Sequence, residues 1–218
     1  MTHKKLAGLY AITCSPIHPS IQGVQALVLD VEQALRGGAT IIQYRDKNPR
    51  TVAYQPIRDD IAHQLRALTR DYNALLIIND DAALARSSDA DGVHLGKDDG
   101  SLTDARKMLR ATAIIGVSCY NQYALAQQAV DNGADYIAFG RFFHSHTKPN
   151  AALANSELLT RAKQELRIPI VAIGGITPEN GKILLEAGAN MLAVVDGIFG
   201  QADILTASQA FRPLFTAP

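Results

Sequence analysis

The sequence has no charge excess to offer a polyanion. Its 21 Lys and Arg are matched by 21 Asp and Glu, so the formal net charge is zero. Nucleic-acid binding rests on a surplus of cations over phosphate, so no nucleic-acid partner is expected and any anion site must be built locally. Cysteine is scarce. Cys14 and Cys119 are the two present. They form no C-x-x-C pair and read as small buried hydrophobes in a reducing, cytoplasmic setting. No apolar run approaches the ~18 residues that span a bilayer, so no membrane partner is expected. His3, Lys4 and Lys5 precede the apolar stretch Leu6–Cys14 in the manner of a short leader. No A-x-A-like cleavage site follows, however, and a strand accounts for the run as well. Linkers and low-complexity stretches are also missing. The 218 residues therefore read as one domain over 1–218, long enough to bury roughly 70–75% of its unfolded surface.

What is present is a repeat of short apolar runs and longer amphipathic stretches. The runs are Leu6–Cys14, Thr40–Arg45, Ala74–Asn79, Gly92–Leu95, Ile114–Ser118, Tyr136–Phe142, Pro169–Gly174 and Met191–Phe199. They lack strict alternation, as parallel strands buried on both faces do. Helical segments are expected between them over Val24–Arg36, Ile57–Thr69, Leu102–Arg110, Gln122–Asp131, Ser156–Leu166 and Pro178–Ala187. Asn155 or Ser156 and the pair Thr177-Pro178 are their clearest start signals. Small-residue turns such as Gly37-Gly38-Ala39 and Ala187-Gly188-Ala189 end helices just before strands. Eight strands alternating with about eight helices predict an α/β fold, a single (β/α)₈ barrel of the TIM type with eight parallel strands. An open doubly wound sheet would carry a glycine fingerprint after its first strand. Ser15-Pro16-Ile17-His18 stands there instead.

Such barrels place their chemistry at the C-terminal ends of the strands. The second run ends in Gln43-Tyr44-Arg45-Asp46-Lys47. Alternation sends Gln43, Arg45 and Lys47 to one side, a set of two cations and an amide suited to an oxygen-rich anion. Asn79-Asp80-Asp81 ends the third run, and Lys97-Asp98-Asp99 follows the fourth. Two carboxylates ~4 Å apart repel by about 4 kcal/mol at an effective dielectric of 20, so both stay ionised only with a cation between them. Mg²⁺ suits such all-oxygen ligands. The sixth run leads through Gly140-Arg141-Phe142-Phe143-His144 into Ser145-His146-Thr147-Lys148, whose hydroxyls and ammonium can cradle phosphate. The seventh strand ends in Ile173-Gly174-Gly175-Ile176 and the eighth carries Val195-Asp196-Gly197, and the loops after these two strands form a common barrel phosphate site. His94 lies inside an apolar run and reads as a satisfied core histidine.

These motifs together resemble the thiamine-phosphate synthase family along nearly the whole chain. The likeness rests on QYRDK (43–47), IND (78–80), ADGVHLGKDD (90–99), GVS (116–118), SHTK (145–148) and IGGI (173–176). It implies a transferase that joins a pyrimidine diphosphate to a thiazole phosphate, giving thiamine phosphate and pyrophosphate by a dissociative, carbocation route. It further implies a pyrimidine-diphosphate site of Gln43, Arg45, Lys47, Asn79, Ser118 and Lys148. Arg45, Lys47, Ser118 and Lys148 would be the catalytic residues among these, and Asp80 and Asp99 would hold Mg²⁺. Ser145, His146, Thr147 and Gly175, with the backbone at Val195 and Asp196, match the thiazole-phosphate site. The implied partners are small phosphorylated substrates, with self-association left open.

The chain departs from the commonest pattern of that family at several positions. Cys119-Tyr120 stand where a Thr-His pair often follows GVS, His144-Ser145 where proline and threonine are frequent, and Asp196 where serine is usual. An anionic side chain repels a phosphate, so Asp196 is expected to offer only its backbone. Two alternatives share the fold class. A thiazole tautomerase would want an imidazole where Tyr120 stands and would lose the diphosphate cations and carboxylates. A non-catalytic phosphate-binding barrel would not need the complete set.

Overall fold

In the computed structural model, which describes residues 6–15, 21–96, 99–144 and 153–216, eight parallel strands close into one barrel in the order of the sequence. They are β1 (Gly8–Ile12), β2 (Ala39–Tyr44), β3 (Leu75–Asn79), β4 (Gly92–Leu95), β5 (Ile114–Tyr120), β6 (Tyr136–Gly140), β7 (Ile170–Ile173) and β8 (Met191–Val194). Strand β1 pairs with both β2 and β8, which removes any free sheet edge. The outer helices are α1 (Ile21–Gly37), α2 (Gln55–Asp71), α3 (Ala82–Ser87), α4 (Leu102–Met108), α5 (Tyr123–Asp131), α6 (Ser156–Glu165), α7 (Gly181–Glu186), α8 (Asp196–Phe199) and α9 (Ile204–Gln209). No helix among the described residues is long and apolar enough to cross a membrane.

The continuous apolar runs follow from two cores that share the same strands. Tyr10, Ile12, Ile41, Ile77, Tyr136 and Met191 fill the barrel interior. Their neighbours Leu9, Ala11, Ile42, Leu76, Ile78 and Phe139 pack outward against the helices. Both faces of each strand are buried, so no polar residue needs to alternate. Glycine opens space for the largest interior ring: a Cβ at Gly116 would overlap the Tyr136 ring.

Several expected boundaries change, among them three on the C-terminal side of strands. The eighth run does not continue as a strand to Phe199. It stops at Val194, and Phe199 N–H donates to the Val195 carbonyl (2.9 Å), turning Asp196–Phe199 into one helical turn. The sixth strand ends at Gly140 rather than Phe142. Helix α7 begins at Gly181 and not at Pro178. Thr177 and Asn180 instead close a turn, with Thr177 N–H donating to Asn180 Oδ1 at 2.8 Å. At α6 the expected cap is present: Asn155 Oδ1 accepts from Glu157 N–H at 3.1 Å.

Candidate active site

A cavity of about 380 Å³ opens at the C-terminal ends of the strands. Parallel strands put all eight such ends at one rim, so residues far apart in sequence meet there. Gln43, Arg45, Asn79, Ser118, Gly175, Val195 and Asp196 all line it. Ser145, His146, Thr147 and Lys148 lie outside the described residues, as do Lys97 and Asp98.

The strand β2 end divides as alternation requires. Gln43 and Arg45 face the cavity, and Lys47 pairs with Asp80. Tyr44 and Asp46 turn outward into a buried network. The Asp46 carboxylate accepts from the Tyr54 hydroxyl (2.6 Å) and the Tyr44 hydroxyl (3.1 Å), with the Arg58 guanidinium 3.9 Å away. Burial and the Asp46 carboxylate push the Tyr54 hydroxyl up to about 12. Arg58 also reaches Asp81 at 3.3 Å, so one buried cation ties the β2 rim to the start of α3.

Strict alternation would send Asp80 away from Asn79. It does not, because Asp80 adopts φ +60°, a left-handed conformation that Asp tolerates better than most residues. The turn separates two adjacent acids by role. Asp81 caps α3, accepting from Leu84 N–H at 3.0 Å. Asp80 instead meets Lys47 and Asp99. Burial works against ionisation of Asp80, yet the hydrogen bonds from Asp99 and Lys47 hold its carboxyl below the ordinary carboxylate range. Burial and the neighbouring Asp80 push Asp99 up, although Asp99 Oδ2 accepts the Gly96 N–H at 2.8 Å. The two neighbouring carboxylates thus carry opposite shifts, and a divalent cation between them would satisfy both. Among the described residues no cluster of three or more His, Cys, Asp and Glu comes together. A pair suffices for Mg²⁺, which takes one or two protein carboxylates and completes its shell with water and phosphate.

On the adjacent strands β4 and β5, Ser118 Oγ lies 2.9 Å from His94 Nε2. His94 is a bonded core residue, 8% exposed, and it also lines the cavity. The strand β5 register shifts between Ser118 and Tyr120. This bulge turns Cys119 into the core, where burial pushes its thiol up to about 12. It also brings Tyr120, at φ +53°, to the cavity wall. Cys14 is half-buried and not disulfide-bonded; burial raises its thiol, with the Asp196 carboxylate adding to the effect.

The loops after β7 and β8 complete the wall. A Cβ at Gly174 or Gly175 would strike the backbone of residues 141–144, and both glycines have positive φ. Their bareness therefore serves close packing of two loops as well as access to the cavity. Among the lining residues that carried no role in the sequence reading are Arg141 and Tyr120. Arg141 had a readable signal, a cation placed directly after a buried strand on the active rim. Tyr120 had none, because a bulge is not visible in periodicity.

Comparison with known proteins gives a consistent picture. A model of the thiamine monophosphate synthase family matches residues 9–198. The thiamine-phosphate synthase of Nitrosococcus oceani is 50% identical over 210 residues, 96% of this chain and 93% of that protein. Its counterpart in Saccharophagus degradans is 49% identical over 94% of this chain and 90% of its own. Among solved structures, the thiamine phosphate pyrophosphorylase of Pyrococcus furiosus superposes with a TM-score of 0.83 at 33% identity. That superposition covers 97% of this chain and 96% of the other.

Proposed function

Because the chain belongs to the thiamine monophosphate synthase family, we propose that it joins a pyrimidine diphosphate to a thiazole phosphate, releasing thiamine phosphate and pyrophosphate. The observation that carries this reading is one rim that gathers Gln43, Arg45, Asn79 and Ser118 around a single cavity, with the Lys47–Asp80–Asp99 group at the ends of the neighbouring strands.

The route is dissociative. The bond between the pyrimidine methylene and the diphosphate oxygen breaks first, and both electrons leave with pyrophosphate. The thiazole nitrogen then donates its lone pair to the methylene cation. The difficulty lies in negative charge growing on the leaving group, so the protein needs fixed cations rather than a strong base. Arg45, Lys47 and Lys148 supply them, and well-placed donors of this kind contribute roughly 10²–10³ each in rate. Gln43, Asn79 and Ser118 orient the pyrimidine diphosphate. Ser145, His146, Thr147 and Gly175, with the backbone at Val195 and Asp196, hold the smaller phosphate. Asp80 and Asp99 would hold Mg²⁺, which neutralises diphosphate charge when bound.

Incubation with both substrates and Mg²⁺ tests the assignment, reading thiamine phosphate and pyrophosphate by chromatography. The two products should appear in equal amounts and should disappear in excess EDTA. Thiazole isomerisation without any pyrimidine substrate would replace this reading with a tautomerase. Tight binding of both phosphates without turnover would replace it with a binding protein.

A further inference from the structure

Five polar side chains form one unbroken line through the otherwise apolar barrel interior. Gln43 Nε2 donates to the Tyr10 hydroxyl at 2.7 Å. The Tyr10 and Tyr136 hydroxyls are 2.9 Å apart. Tyr136 lies 3.0 Å from His94 Nδ1, and His94 Nε2 lies 2.9 Å from Ser118 Oγ. The line thus enters the cavity wall from β2 and returns to it on β5. Tyr136 fits there because Gly116 leaves room for its ring, which stacks on His94 at a centroid distance of 5.6 Å. Apolar residues of the same size would fill this interior without hydrogen-bonding demands, so packing does not account for the line.

Its members can be satisfied together in only two ways. Each tyrosine hydroxyl has one proton to give, and burial raises both tyrosines far above their ordinary range, so each keeps that proton. If Gln43 donates, Tyr10 donates to Tyr136, Tyr136 donates to Nδ1, and Nε2–H donates to Ser118. If Gln43 accepts, every step reverses. A break in direction at Tyr10 or Tyr136 leaves that buried hydroxyl's proton with no acceptor in the line, which costs more than the bond itself gains. With the Gln43 amide placed Nε2 towards the Tyr10 hydroxyl, the line runs in the first order.

We infer that Gln43, Tyr10, Tyr136, His94 and Ser118 form a relay of fixed polarity. In it, Tyr10, Tyr136 and His94 are positioning residues, the two tyrosines holding His94 as the Nε2–H tautomer. They thereby make the Ser118 hydroxyl a donor, and Gln43 Oε1 an acceptor, towards an aminated heteroaromatic ring. Such a ring carries both a lone pair and an N–H edge, the complement of what the two ends present. The inference rests on placing the pyrimidine at Gln43 and Ser118.

The test separates the relay from that placement. The His94 tautomer is read by ¹⁵N NMR in the ligand-free protein, its signals assigned by their loss in His94→Gln. Nε2–H is expected. Gln43→Glu puts an acceptor at the far end and should convert His94 to Nδ1–H, across the barrel and without contact between the two residues. Tyr136→Phe interrupts the line and should abolish that conversion. In otherwise unaltered enzyme, Tyr136→Phe should lower kcat/KM for the pyrimidine diphosphate about three- to tenfold, the worth of one hydrogen bond. It should leave KM for the thiazole phosphate unchanged and have no further effect in a Ser118→Ala background. An Nδ1–H tautomer in the unaltered protein, or one unmoved by Gln43→Glu, overturns the relay. Full turnover by Ser118→Ala would instead displace the pyrimidine from Ser118, with the tautomer result still deciding the relay.

Discussion

Asp80 and Asp99 show how one pair of side chains can carry two opposite shifts. Asp80 is held below the ordinary carboxylate range and Asp99 above it, so the pair keeps a proton to a higher pH than a free carboxylate would. A divalent cation must displace that proton. As pH falls through the raised Asp99 value, proton competition grows, and the Mg²⁺ concentration for half-maximal turnover should climb. In Asp99→Asn both the tight requirement and its acid dependence should be lost, as Mg²⁺ titrations at several pH values would reveal. Lys148 provides a second test on the proposed leaving-group side. A cation there gains interaction energy only as charge develops, so Lys148→Ala should reduce kcat by roughly 10²–10³ with smaller changes in KM. A loss confined to KM would mean that Lys148 binds the ground state and the transition state equally.

The rim is held from behind by elements that never touch the cavity. Arg58 of α2 is 2% exposed and lies between Asp46 after β2 and Asp81 before α3. Removing it would leave the Asp46 carboxylate with hydroxyl donors but no cation, while Asp81 would keep Arg50 at 3.4 Å; breaking a buried pair typically costs about 3–5 kcal/mol. Arg58→Leu should therefore lower the urea midpoint sharply. It should also weaken Mg²⁺ binding, because Lys47 and Asp80 sit beside the residues it anchors. Unchanged stability would show that Asp46 and Asp81 are satisfied without Arg58. On the barrel's inner side, Gly116→Ala would push a methyl into the Tyr136 ring. Overpacking of this kind costs about 1–3 kcal/mol, and a melting curve identical to that of the unaltered protein would rule out the tight fit.

At the scale of the whole chain, closure of β1 on β8 gives every strand two neighbours, so local loss of one strand opens two ladders. Far-UV circular dichroism and tyrosine fluorescence should consequently report one coincident urea transition, the behaviour of a single cooperative unit; separated transitions would divide the chain. The sequence determined the architecture because local rules suffice for it: doubly buried strands write apolar runs, helix ends write Gly-Ala turns, and the order of elements leaves little but a barrel. It also determined which side chains of the β2 end share a face, since Gln43 and Arg45 line the cavity while Tyr44 and Asp46 turn away. Tertiary structure decided what such rules cannot reach. The left-handed turn at Asp80 sorted two adjacent acids into a partner of Lys47 and a helix cap, and the bulge at Cys119 brought Tyr120 to the cavity. The halt of β8 at Val194 came from a helical turn that hydropathy reads as strand. His94 was legible as a buried histidine but not as the link between Tyr136 and Ser118, because those partners stand 42 and 24 residues away. Periodicity reports which face a residue occupies; only closure of the barrel decides what it meets there.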